Sequence, residues 1–256
     1  MSTRIQQLFS KNNRKILSIY FTAGYPTLND TIEIIQNLAD AGVDLIEIGF
    51  PFSDPLADGP VIQQSSQKAI KNGMTLKLLF EQLKNIRQQT NIPIILMGYL
   101  NPVLQFGVEI FVEKCVEVGI DGVIIPDLPV DYYEAHFKNL FQKNGLSNIL
   151  LITPETNNAR VQMIDALSDG FIYMVSSNSI TGSENNLAHQ SDYFNRINQL
   201  NLTNPTLIGF GIHDKQTFES ACENSSGAII GSAFIKHLTT FGVSRASILD
   251  FIKVLK

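Results

Sequence analysis

Cysteine is scarce in this sequence: 256 residues hold two, Cys115 and Cys222. Neither a C-x-x-C pair nor a histidine cluster at metal-ligand spacing accompanies them, so a disulfide framework is excluded and no metal is expected. A reducing cytoplasm is the natural setting. Long apolar runs are missing too, since none approaches the roughly 18 residues of a membrane-crossing helix. Residues 1–20 lack the apolar centre of a secretory signal. Arg4, Lys11, Arg14 and Lys15 all precede the first acid, Asp30, which is the charge bias of a plastid or other organelle presequence. Ile16 onward already reads as a core strand, however, and leaves too little chain upstream for a removable segment. Blocks of like charge are absent: 19 basic and 24 acidic residues give a net −5 spread along the chain, with no electrostatic footprint for nucleic acid. No linker or low-complexity stretch divides residues 1–256, so one domain is expected.

What is present is a strong alternation. Short apolar runs at 16–22, 43–49, 93–98, 122–125, 148–153, 170–175, 206–209 and 227–231 predict eight strands. Each is nearly continuous, as parallel strands covered on both faces are. Amphipathic stretches separate them, among them 31–41, 76–89, 108–118, 132–143, 159–167 and 215–223. Asn29 or Asp30, Asp131 and Asp214 are placed to cap helix starts, and Gly42, Gly119 and Gly145 to end helices. Eight strand–helix repeats in this length are the arithmetic of a (β/α)8 barrel. A doubly wound open sheet is disfavoured, because no strand leads into a G-x-G-x-x-G turn.

Barrel chemistry gathers at strand C-termini. There Glu47 interrupts the apolar run LIEIG, and an acid so placed is costly unless protonated or paired. It is either a catalytic group or a structural carboxylate bonded to backbone or lysine. Asp54 and Asp58 lie in the proline-stiffened loop 50–60, FPFSDPLADGP. Asp54 reads equally well as a turn former, whereas Asp58 is placed to pair with Glu47 and to divide acid and base work with it. Asp127 in PDLP is a turn residue, a substrate ligand or a partner contact. Three glycine signals mark the last third: Thr181-Gly182, Gly209-Phe210-Gly211 and Gly231-Ser232. Together they suggest an anion cradle at a helix start. Of the scattered histidines, 136, 189, 213 and 237, only His213 falls near it. Nothing resembles a nucleophile elbow or a Schiff-base lysine, because Lys15, Lys68 and Lys71 read as surface.

The run LIEIGFPFSDPLADGP, residues 45–60, resembles the signature of the tryptophan synthase alpha-chain family. FTAGYP, PDLP, ITGSEN, GFGI and GSA extend the resemblance along the whole chain. It implies cleavage of indole-3-glycerol phosphate to indole and glyceraldehyde 3-phosphate with no cofactor in this chain. It also implies a pyridoxal-phosphate beta chain as partner, in an alpha2beta2 assembly. By motif, Glu47 resembles the family's general acid/base and Asp58 the carboxylate that meets the indole N–H. Tyr173, Thr181, Gly182, Phe210, Gly211, Gly231 and Ser232 resemble its substrate contacts. The polar loop 176–189 resembles a lid that brings the Thr181 hydroxyl to Asp58. The chain departs from the pattern at Ser177-Asn178-Ser179, where many members carry an arginine, and at His213, where a small hydroxyl residue is common. Strand lysines of the kind used by indole-glycerol phosphate synthase are absent. The other reading is a catalytically weak barrel that serves mainly to activate the beta chain.

Overall fold

The computed structural model describes residues 3–11, 14–176, 184–209 and 211–256. Nine strands run parallel: β1 Ile16–Thr22, β2 Leu45–Gly49, β3 Ile94–Met97, β4 Gly122–Ile124, β5 Ser147–Asn148, β6 Leu150–Ile152, β7 Ile172–Val175, β8 Thr206–Gly209 and β9 Gly227–Ile230. They form one sheet in the order β5-β4-β3-β2-β1-β9-β8-β7-β6. Its two ends, β5 and β6, are consecutive pieces of the single strand expected over 148–153. That strand is divided at Ile149: β5 bonds only to β4, and β6 only to β7. The eight-stranded (β/α)8 barrel is therefore present, with its fifth strand shared in relay between two neighbours.

The alternation of the strands sorts two cores. Along β1, Leu17, Ile19 and Phe21 join the outer core under the helices. Ile16 and Tyr20 join an inner core with Leu45, Ile95, Ile124, Phe171, Tyr173, Leu207 and Ile229. This two-sided burial explains why the strands read as continuous apolar runs rather than alternating ones. Helix Val108–Val118 shows the outer arrangement: Phe111, Val112, Cys115 and Val118 recur at helical spacing and are buried. It ends at Gly119 with φ +79°, a left-handed turn that glycine adopts without strain.

Several expected boundaries shift. Strand β2 starts at Leu45 because Val43 and Asp44 are spent on closure: Val43 N–H bonds to the Leu38 carbonyl, and the Asp44 carboxylate accepts from Leu17 N–H at 2.9 Å. Asn29 precedes helix Asp30–Asp40 but its side chain makes no cap, while Asp30 folds back onto Thr27. Asp131 lies inside a helix that starts at Val130, and Arg160 holds its carboxylate at 3.0 Å. Asp214 caps helix Lys215–Asn224 as expected, in a reciprocal box with Thr217. Helix Arg4–Lys11 was not expected. It closes the barrel's lower end, with Ile5 fully buried in the inner core and Arg4 reaching Asp121. Asp121, 4% exposed, also accepts from Arg87 at 2.5 Å and from Ile94 N–H at 2.8 Å, so its charge is well compensated. Among the described residues no helix is long and apolar enough to cross a membrane.

Candidate active site at the barrel mouth

Glu47 belongs to the inward-facing set of β2, in register with Tyr20 on β1 and Ile95 on β3. It is fully buried. Its Oε1 accepts a 2.7 Å hydrogen bond from the Ser18 hydroxyl, and Oε2 has no partner among the described residues. Burial pushes the carboxyl up to about 7, and the Ser18 bond pulls the other way. Neither a backbone donor nor a lysine meets it among the described residues.

Asp58 is carried by a loop held at several points. Phe50 N–H bonds to the Met97 carbonyl, Asp58 N–H to the Pro55 carbonyl, and the Gln63 amide to the Asp58 carbonyl. Ala57 N–H donates to the Tyr99 hydroxyl at 2.9 Å, and that hydroxyl in turn favours the ionised form of the Asp58 carboxylate. Desolvation raises Asp58 to about 6, with the Tyr99 bond opposing. Two carboxylates are thus poised near neutrality, one in β2 and the other in the loop that follows it.

Tyr20 and Tyr173 complete the wall. Each leans over a glycine at a strand end: a Cβ on Gly49 would sit 2.1 Å from the Tyr20 hydroxyl, and one on Gly209 the same distance from that of Tyr173. Both phenols are held well above their ordinary range, first by burial and then by negative charge, with Glu47 and Asp58 acting on each. A single cavity is lined by Tyr20, Asp58 and Tyr173, by apolar Ile62, Met97, Ile212 and Ile229, and by Gly211, Gly231 and Ser232. Helix Ser232–Phe241 begins at Gly231 with no side-chain cap, which leaves its first-turn amides free for an anion. Gly211 turns with φ +78°. The His213 ring is committed to its own loop, with Nδ1 2.8 Å from the Gly211 carbonyl and Nε2 3.4 Å from Asp214.

Thr181, Gly182 and Phe210 lie outside the described residues, as does 177–183 of the expected loop 176–189, whose remainder from Glu184 is the start of helix Glu184–Gln199 rather than loop. Asp127 proves to be a cap, its carboxylate accepting from Leu100 N–H at 2.8 Å. Asp54 takes the neighbouring Ser53 hydroxyl on an exposed turn. Ser18, Tyr20 and Tyr99 escaped sequence reasoning. A hydroxyl in the otherwise apolar ILSIYFT was a signal for Ser18, and a tyrosine just past β3 was one for Tyr99. A wider groove at the strand starts, between Lys15, Thr206 and Glu219, offers no buried polar group.

A family model described as "Tryptophan synthase alpha chain" matches residues 6–252. The tryptophan synthase alpha chain of Flavobacterium psychrophilum is 62% identical over 245 residues, covering 95% of this chain and 96% of the relative. Among solved structures, the Legionella pneumophila tryptophan synthase alpha chain superposes with a TM-score of 0.87 at 29% identity, over 100% of this chain and 98% of that one. The tryptophan synthase complex from Pyrococcus furiosus gives 0.84 at 31% identity, over 94% and 98%.

Proposed function

The chain belongs to the tryptophan synthase alpha-chain family, and from that premise we propose that Glu47 and Asp58 carry its reaction. That reaction is the lyase step of tryptophan biosynthesis, cleaving indole-3-glycerol phosphate to indole and glyceraldehyde 3-phosphate. Protonated Glu47 delivers its proton from Oε2 to C3 of the indole, which weakens the bond from C3 to the glycerol side chain. The positive charge that develops on the indole nitrogen is met by ionised Asp58, which also accepts the N–H. Glu47, now a carboxylate, takes the proton from the adjacent side-chain hydroxyl. The O–H electrons form the new carbonyl, and the electrons of the C–C bond return to the ring. Glu47 ends protonated, ready for another cycle. A value of about 7 suits a group that must both give and take a proton near neutral pH.

The observation that carries this reading is the buried carboxylate with one oxygen unpartnered among the described residues, beside a cavity that Asp58 lines. Proton transfer and charge stabilisation account for each step, so the chain needs no organic cofactor or metal of its own. The phosphate is held at Gly211, Gly231 and Ser232, and by resemblance at Gly182. By the same resemblance, Tyr173 and Phe210 are assigned to the indole and Thr181 to Asp58. The partner is a beta chain carrying pyridoxal phosphate in an alpha2beta2 assembly. Leu56, 92% exposed on the loop that carries Asp58, is an apolar contact offered to it. Residues 1–256 act as one cytoplasmic barrel domain. Indole release from indole-3-glycerol phosphate, measured with and without a beta chain, tests the whole. Release in neither case would leave only the activating-partner role.

The anion site gives a separate expectation. A Cβ on Gly231 would approach the Tyr20 ring at 3.3 Å and narrow the cradle. Gly231→Val should weaken glycerol 3-phosphate binding about tenfold or more, because the amides can no longer be approached closely. Indole binding should change by less than about threefold, since it makes no use of these amides. Calorimetric titration with each ligand decides, and equal losses would move the phosphate elsewhere.

A further inference from the structure

We propose that Ser18 is a positioning residue for the proton shuttle: its hydroxyl holds Oε1 of Glu47, so that both proton transfers run through Oε2. The inference rests on Glu47 being the shuttle. A free carboxylate has two equivalent oxygens and rotates about its last bond, so a proton would be divided between two positions. Here the oxygens are not equivalent, because Ser18 donates to Oε1 at 2.7 Å and Oε2 meets no partner among the described residues.

The placement follows from register. Tyr20 lies opposite Glu47, and Ser18 lies opposite Leu45. Ser18 is thus the diagonal neighbour one step deeper in the barrel, within reach of a long side chain across a strand pair. Ser18 is fully buried in a strand whose other inward residues include Ile16 and Tyr20. A buried hydroxyl without a partner is unfavourable, and an apolar side chain would satisfy the strand pattern equally well. The bond to Glu47 is what gives this hydroxyl a role. It persists through the cycle, since Oε1 accepts whether Oε2 is protonated or not.

Of the other groups around Glu47, Tyr20 from β1 and Tyr173 from β7 feel its charge, which together with burial raises both phenols and keeps them protonated. Asp58, from the loop after β2, acts on the same two tyrosines and is itself an acceptor when ionised. From β3, Ile95 is apolar.

The test compares Ser18→Ala, Ser18→Thr and Glu47→Gln, each assembled with a beta chain, in the cleavage of indole-3-glycerol phosphate. The bond favours the ionised form of Glu47, so removing it raises the carboxyl further. The basic limb of the kcat/KM profile, where Glu47 loses the proton it must donate, should then move up by about one pH unit in Ser18→Ala. At neutral pH kcat should fall about tenfold with KM within about twofold, the split expected when only transition-state geometry is lost. Ser18→Thr, which keeps the hydroxyl, should restore both the limb and kcat. An unmoved limb with kcat within about twofold of the parent overturns the proposal. So does a joint loss of kcat, KM and melting temperature that threonine fails to restore, which would mark Ser18 as packing only. If Glu47→Gln turns over normally, the shuttle reading itself falls and the proposal with it. If Glu47→Gln is inactive and the Ser18→Ala limb is unmoved, only the role of Ser18 is lost.

Discussion

Glu47→Gln is expected to lower turnover of indole-3-glycerol phosphate by about 10²- to 10⁴-fold, or more because two steps depend on the one group. The amide keeps the size of the side chain and can still accept from Ser18, but it cannot carry a proton. Near-normal indole release by this variant would remove Glu47 from the mechanism. The same substitution should alter the pH dependence of folding. Burial holds the carboxyl at about 7 against an ordinary 4.5, so between those values the folded chain binds a proton that the unfolded chain has released. This raised value makes stability fall as pH rises from about 4.5 through about 7, by about 3 kcal/mol for this group alone. Glu47→Gln lacks that slope. Urea unfolding at about pH 4 and about pH 8.5 should therefore show the variant gaining about 3 kcal/mol on the parent between the two conditions. A constant difference would mean that Glu47 is ordinarily solvated.

Asp58→Asn carries the second large effect. The amide is isosteric and its oxygen can still accept from the indole N–H, so substrate binding should be little changed. What disappears is the negative charge that meets the indolenine cation. Losing a preorganised electrostatic partner costs about 10²- to 10³-fold in kcat, and the loss should appear in kcat far more than in KM. The parent profile is expected to be bell-shaped. Activity should decline below about 6 as Asp58 takes up a proton, and above about 7 as Glu47 releases one. Asp58→Asn should abolish the acidic limb and keep the basic one. Turnover within about threefold of the parent would show that charge at this position is not used.

Which residues were legible in the sequence follows from what period and composition encode. Glu47 stood out because a charge inside an apolar strand is costly wherever it occurs. Asp58 stood out because the prolines around it promise a shaped loop. The helix start at Ser232 was visible in its glycine. Ser18 and Tyr99 were not picked out, since their roles depend on which strand end or loop lies beside them. A period of two tells which face a residue is on but not its neighbour across the sheet. The division at Ile149 was hidden for a related reason: a continuous apolar run carries no mark of where its partner changes. Helix Arg4–Lys11 was missed because its charge bias invited comparison with a presequence, although Ile5, Leu8 and Phe9 recur at helical spacing and all pack against the inner core.

The divided strand has a topological consequence. Because the hydrogen-bonded order begins at β5 and ends at β6, the ring is completed at that point by the covalent chain through Ile149 rather than by a ladder. Circular permutation therefore does not treat all positions alike. New termini placed in an outer connection, such as that around Gly242, would leave the ring whole. Termini placed between Asn148 and Leu150 would unroll it into an open sheet with two free edges, the form of a β-sheet most exposed to pairing with other chains.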